Sequence, residues 1–329
     1  MTTLQEPIDS GFGAASTAAD VVRGLDLTGR TAIVTGGYSG LGLETVRVLR
    51  LAGAEVIVPA RDVDRAGKAV AALDGVRVAP MDLLDQDSID TFADSFLADG
   101  KPLHILVNSA GIMANPFTLD ARGYESQFAT NHLGHFQLTT RLLPALRQAQ
   151  GARVVSVSSR GHRYSDVHFD DLHFAHREYQ PLAAYGQSKT ANILFAVALD
   201  EREQDNGVRA FSLHPGTIVT NLARYTNPET LRSIGVLDAD GEPVIDPSRG
   251  LKTVEQGAST SVWCATSPRL DGLGGVYCEN TDIAPIRSDE AELGELELSE
   301  GTHGVRPYAI DADAARRLWT VSEELLHRR

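Results

Sequence analysis

Apolar positions along the chain fall into two alternating periods from Thr31 onward. Short apolar runs rich in β-branched residues occupy Thr31–Thr35, Glu55–Val58, Val76–Ala79, Leu103–Val107, Arg153–Val157 and Val208–Leu213. Between them, Leu41–Leu51, Val63–Leu73, Ser88–Leu97, Tyr124–Leu146 and Ala183–Arg202 show the three-to-four-residue spacing of helices. The Tyr124–Leu146 helix is expected to be broken or capped near Pro144, and a short helix is expected around Ser16–Arg23. Runs apolar on both faces are the mark of strands covered on both sides. Alternation with helices then predicts a parallel sheet, and right-handed crossovers make it a doubly wound α/β fold. In such a fold ligands lie beyond the carboxyl ends of the strands.

The pattern lapses in two places. Residues 221–250 carry prolines at 228, 243 and 247 and little periodicity, so they read as an excursion from the core. Glu290–Glu300 is an acidic run, expected as a solvated face or loop. No linker divides the chain, which predicts an extension over 1–27, a single domain over 28–329 and a C-terminal extension from about 286. No unbroken apolar stretch approaches the ~18 residues of a membrane span, and the first residues lack the features of a secretory signal. A cytoplasmic protein is expected. With 44 acidic against 30 basic residues the net charge is −14, which opposes nucleic acid and anionic lipid as partners. Cys264 and Cys278 are expected as reduced, partly buried thiols.

Candidate chemistry begins directly after the first strand, at Thr35-Gly36-Gly37-Tyr38-Ser39-Gly40-Leu41-Gly42. A strand, a glycine turn and a helix start form an anion site: glycines admit a pyrophosphate close to the backbone, and the helix offers free N–H groups. The spacing, TGxxxGxG, resembles the short-chain dehydrogenase/reductase family, with Gly36, Tyr38, Ser39, Gly40, Leu41 and Gly42 as the cofactor turn. At the end of the second strand Ala60 stands where an acidic residue would select NAD, and Arg61 follows it. A guanidinium grips a 2′-phosphate that a carboxylate would repel, so NADP(H) is expected, with NAD(H) as the alternative. The plain structural alternative for this stretch is a helix start with Asp62 as its N-cap.

Tyr185-Gly186-Gln187-Ser188-Lys189 places a phenol and an ammonium four residues apart on one helix face. A nearby ammonium favours the phenolate, which would let Tyr185 exchange a proton with a carbonyl or an alcohol. Only four lysines stand against 26 arginines, so a chance Tyr–Lys pair of this spacing is uncommon here. The family resemblance adds further roles. It implies that Ser159, or its neighbour Ser158, orients the substrate oxygen at the end of the fifth strand. Asn131 would kink a helix and hold a water linking the lysine to solvent. Asp82 and Leu83 would hold the adenine, and Asn108, Ala110 and Gly111 match the family's NNAG element, with Ser109 replacing its second asparagine. Pro215, Gly216, Ile218 and Thr220 match the segment that holds the nicotinamide.

The 26 residues from Ser159 to Tyr185 exceed the family's usual interval and resemble its retinol dehydrogenase and protochlorophyllide reductase-like branch, whose substrates are bulky and lipophilic. Tyr164, Phe169, Phe174 and Tyr179 either line such a pocket or pack the insert down. His162, His168, His173 and His176 are read as pocket or surface residues, with no functional metal. The resemblance also implies a homodimer or homotetramer, paired through helices around 124–147 and 183–202. Three functions fit these motifs: hydride transfer to or from a carbonyl or alcohol substrate, a silent dinucleotide sensor or scaffold, and a cofactor-retaining dehydratase or epimerase.

Overall fold

The computed structural model describes residues 3–288 and 303–327; the acidic run Glu290–Glu300 lies outside them. Eight strands form one sheet: β1 (Thr31–Val34), β2 (Glu55–Ala60), β3 (Val76–Pro80), β4 (Ile105–Asn108), β5 (Ala152–Val157), β6 (Val208–His214), β7 (Val276–Glu279) and β8 (Asp282–Ile283). Their order is β3-β2-β1-β4-β5-β6-β7-β8, parallel throughout except for the β7–β8 pair. Chain direction across the sheet reverses between β1 and β4. There the helices leaving the two strands diverge to opposite faces and open a crevice.

Side-chain alternation along the central strands divides the core into two layers. Ile33, Leu106, Val154 and Ala210 point to one face, where the helices Gln86–Ala98, Gly134–Gln148, Pro181–Glu203 and Ala312–His327 cover them. Ala32, Val34, Ile105, Val107 and Val155 point to the other, beneath Ala18–Val22, Gly40–Leu51 and Ser259–Thr266. Because both faces are covered, the central strands β1, β4 and β5 are buried at every position. Cys264 and Cys278 are both free and buried in the second layer. No helix among the described residues is long and apolar enough to cross a membrane.

Three features depart from the periodicity. The helix expected to break near Pro144 instead runs through it, with the proline on its exposed side. The irregularity lies earlier, in a π-turn over Ala129–Leu133 between Ser126–Phe128 and Gly134–Gln148. Gly134 there passes so close to Leu83 that a Cβ would stand 2.4 Å from the Leu83 carbonyl oxygen. Second, the Ala312–His327 helix lies against both helices assigned to subunit pairing. Its Trp319 packs edge-on to Phe136 (4.9 Å) and stacks with Phe195 (6.1 Å). The Tyr124 hydroxyl donates to the Leu325 carbonyl at 3.0 Å. Third, the N-terminal arm is stitched to β7 and β8. Gln5 donates to the carbonyls of Tyr277 and Ala284 and accepts from the Tyr277 N–H, and the Ile8 and Ser10 N–H groups donate to the Asp282 carboxylate.

Candidate active site

The glycine turn closes on itself where the sequence has no side chain to obstruct it. A Cβ on Gly42 would lie 2.4 Å from the Gly36 carbonyl oxygen, and Gly36 adopts a φ of +67°. At Gly40 (φ +49°) a Cβ would enter the gap between the turn and Thr220, 3.4 Å from its methyl group. The helix Gly40–Leu51 starts here, and Ser39 at its N-cap makes no side-chain capping bond. The turn therefore leaves helix N–H groups and a hydroxyl for an anion, a cradle that suits a dinucleotide pyrophosphate.

Turn and strand ends line a cleft of about 770 Å³. Gly36, Tyr38, Ser39, Gly40, Leu41, Gly42, Arg61, Asp82, Leu83, Ala110, Gly111, Pro215, Gly216, Ile218 and Thr220 all border it, together with Ser159, Tyr185 and Lys189. Arg61 is largely exposed at one end, 4.0 Å from the Asp82 carboxylate. Asp62 caps the next helix by accepting from the Arg65 N–H. The cap and the exposed guanidinium thus coexist. Arg65 also reaches the cleft, with its guanidinium 5.9 Å from the Tyr38 ring centroid. The signal for it was available: Arg65 lies one helical turn beyond Arg61.

At the other end Tyr185 is buried on the Pro181–Glu203 helix, with Ser159 beside its hydroxyl. The ring rests on Gly161, where a Cβ would stand 2.7 Å from Tyr185 Cε1. Ser159 also accepts from the Gly161 N–H at 3.0 Å. Ser158 and Ser159 both border the cleft, but the Ser158 hydroxyl is engaged, donating to the Lys189 carbonyl at 2.7 Å. Lys189 Nζ donates to the Val157 carbonyl at 3.0 Å and lies 5.6 Å from the Tyr185 ring centroid. Burial holds the Tyr185 phenol up at about 12, against the opposing pull of the Ser159 hydroxyl, and pulls the Lys189 ammonium down to about 7. Desolvation is the largest influence on both groups.

Two expected residues stand behind the cleft wall. Asn108 turns inward at the end of β4 and donates to the Thr139 hydroxyl at 3.0 Å, so the contact surface of its motif comes from Ser109, Ala110 and Gly111. Asn131 is wholly buried in the π-turn. Its side chain accepts from the Ile112 N–H (2.9 Å) and donates to the Ile112 carbonyl (3.0 Å) and the Ser188 hydroxyl (2.9 Å). The amide therefore clamps a loop and the Tyr185 helix. Tyr164 of the insert borders the cleft, whereas Phe174 packs against Tyr179 and Phe169 lies under Arg317. The insert's histidines have structural partners too: His162 bonds to the Ser159 carbonyl, and His173 stacks on Tyr124. Among the described residues no three His, Cys, Asp or Glu side chains converge as a metal site would require. Periodicity did not reveal the cleft's apolar mouth, formed by Ile112, Met113, Leu182, Leu222, Leu231 and Ile234.

A glycine-lined crevice beside Tyr185, Ser159 and Lys189 suits a dinucleotide-dependent oxidoreductase, and comparison with known proteins names the family. Residues 30–231 match the short chain dehydrogenase family model, and the chain belongs to that family. It is an NAD(P)-dependent oxidoreductase. It is 45% identical to a probable oxidoreductase of Streptomyces lividans, over 92% of this chain and 99% of that one. It is 37% identical to retinol dehydrogenase 11 of Mus musculus, over 92% of this chain and 88% of that one. A crystal structure of an uncharacterised Mycobacterium paratuberculosis protein superposes with a TM-score of 0.70 at 33% identity, covering 95% of this chain and 97% of that one.

Proposed function

We propose that the protein uses NADP(H) to interconvert a bulky hydrophobic ketone or aldehyde and its alcohol, with Tyr185 as proton donor and acceptor. The observation that carries this reading is the Tyr185–Ser159 pair on the floor of a cleft whose mouth is apolar. When bound, the nicotinamide supplies or takes the hydride. In reduction the Tyr185 hydroxyl gives its proton to the carbonyl oxygen, and the Ser159 hydroxyl donates to that oxygen as charge develops on it. Lys189, with Nζ 5.6 Å from the Tyr185 ring centroid, would hold the ribose of a bound cofactor and replenish the Tyr185 proton. Asn131 supports this step by fixing the helix that carries Tyr185 and Lys189. The two guanidiniums Arg61 and Arg65 at the adenine-ribose end favour a 2′-phosphate.

The test is NADPH oxidation followed optically over a panel of hydrophobic ketones and aldehydes. Tyr185→Phe should lower kcat about a hundredfold or more while NADPH fluorescence still reports binding. Turnover by the variant equal to that of the wild type would exclude the proton role.

A further inference from the structure

His135 is one turn beyond Asn131, outside the cleft lining and 2% exposed. Both ring nitrogens are engaged. Nδ1 lies 2.9 Å from the Asn131 carbonyl oxygen, and Nε2 lies 2.9 Å from the Thr35 hydroxyl. A carbonyl only accepts, so Nδ1 carries the hydrogen, and on a neutral ring Nε2 is left as an acceptor. Burial holds the ring neutral by drawing its titration down to about 4.

Thr35 opens the glycine turn, and its single hydroxyl hydrogen has two acceptors within reach: His135 Nε2 and, more distantly at 3.4 Å, the Val107 carbonyl. The same oxygen accepts from the Ser109 N–H at 2.9 Å and the Ala110 N–H at 3.0 Å. Those two acceptances use both lone pairs, so Thr35 can meet the imidazole only as a donor, and Nε2 is the nearer of its two acceptors. The chain of bonds runs from the Ser109–Ala110 backbone through Thr35 and His135 to the Asn131 carbonyl. It links three motifs separated widely in sequence. We propose that His135, as the Nδ1–H tautomer, is a positioning residue that sets the glycine turn and the Ser109–Ala110 loop against the Asn131 clamp, and so shapes the dinucleotide cradle.

The packing agrees with this role. The turn and loop meet where a Cβ on Gly36 would stand 3.0 Å from Ala110 Cα, so a small shift of the loop closes or opens the cradle. A protonated ring would present a second N–H to an oxygen whose lone pairs are already taken. Thr35 would then have to release one of the two backbone N–H groups.

This inference rests on the NADP(H) reading for its ligand but not for all of its tests. His135→Phe should weaken NADPH binding about tenfold, raise KM more than it lowers kcat, and speed hydrogen exchange at the Ser109 and Ala110 amides of the free protein. His135→Gln retains a side-chain carbonyl able to accept from Thr35 and should restore most of the amide protection; Thr35→Val should reproduce the loss. If His135→Phe keeps wild-type affinity and wild-type protection at both amides, or His135→Gln restores nothing, the residue is only packing and the proposal falls. If the variant does not fold, ring nitrogen shifts of the wild type decide: an Nδ1–H tautomer unchanged from pH 8 to 5 supports the proposal, and an Nε2–H tautomer overturns it. Wild-type protein that binds no NADPH would refute the cofactor reading alone, since the exchange and tautomer results stand without it.

Discussion

Arg61 is solvent-exposed and held only loosely, 4.0 Å from Asp82, so its removal disturbs little of the fold. Arg61→Ala should therefore act on cofactor choice and not on stability. Losing a charge-assisted contact to a 2′-phosphate lowers the preference for NADPH over NADH about tenfold or more. The ratio of kcat/KM for the two cofactors measures this, and an unchanged ratio would return the assignment to NAD(H). Tyr185 gives a second prediction. A phenol held near 12 stays protonated at neutral pH, the state that donates to a carbonyl. Alcohol oxidation needs the opposite state and should accelerate from pH 7 to 10, while carbonyl reduction does not; parallel pH profiles in both directions would contradict it. At this scale the pair Tyr185 and Lys189 was readable because four-residue spacing on a helix fixes their face. The choice between Ser158 and Ser159 was not, because it turns on which hydroxyl the fold engages. His135 was unreadable as a brace, since its partners Thr35 and Asn131 meet it only through the fold.

Among the elements, the central strands were legible because burial on both faces leaves mostly apolar runs, and the edge strand β3 because its alternation VRVAP keeps the period of a strand. β7 and β8 were not: a four-residue strand containing tyrosine, cysteine and glutamate, followed by a two-residue strand, carries no distinct period. The helix Ser259–Thr266 escaped for a related reason, since seven of its eight residues are buried and it has no polar stripe to set a rhythm. The π-turn leaves no mark in the periodicity, although it falls at Asn131, where the family resemblance implied a helix kink. The Ala312–His327 helix carries Ala315, Leu318, Trp319, Ser322 and Leu325 at helical spacing, but nothing in that pattern says which surface it meets. It meets Phe136 and Phe195, on the helices assigned to subunit pairing. Trp319→Ala should thus destabilise the protein by about 3–5 kcal/mol in urea unfolding. For the same reason two copies of the intact protein should not pair through that face, which cross-linking at positions beside Phe136 and Phe195 tests. A dimer cross-linked through the Phe136–Phe195 face would contradict that.

At the level of the whole molecule, buried histidines set a limit in acid. His132 and His162 titrate near 3 and His135 near 4, and His214 is also held well below its usual value, all through burial. Each unfolded histidine takes up a proton near 6.5 that its folded counterpart refuses, so unfolding gains protons and stability falls as pH drops from about 6.5 toward 4. Each contributes about 1.4 kcal/mol per pH unit in that window. Together the four make the folded protein progressively less stable through that window. Urea midpoints at pH 7.5, 6 and 5 test this, and a midpoint unchanged down to pH 5 would contradict it.

The stitching of Gln5 to β7 has a temporal side. A bond between residues 272 positions apart cannot form until the later one leaves the ribosome. At about 5–20 residues per second, the N-terminal arm waits roughly 14 to 54 seconds for its partner. The helix that shields Phe136 and Phe195 emerges later still. A nascent chain of this protein therefore exposes an aromatic face and an unclosed sheet edge from the emergence of Phe195 until the last helix follows. Its yield in a cell depends on what shelters those surfaces during that interval.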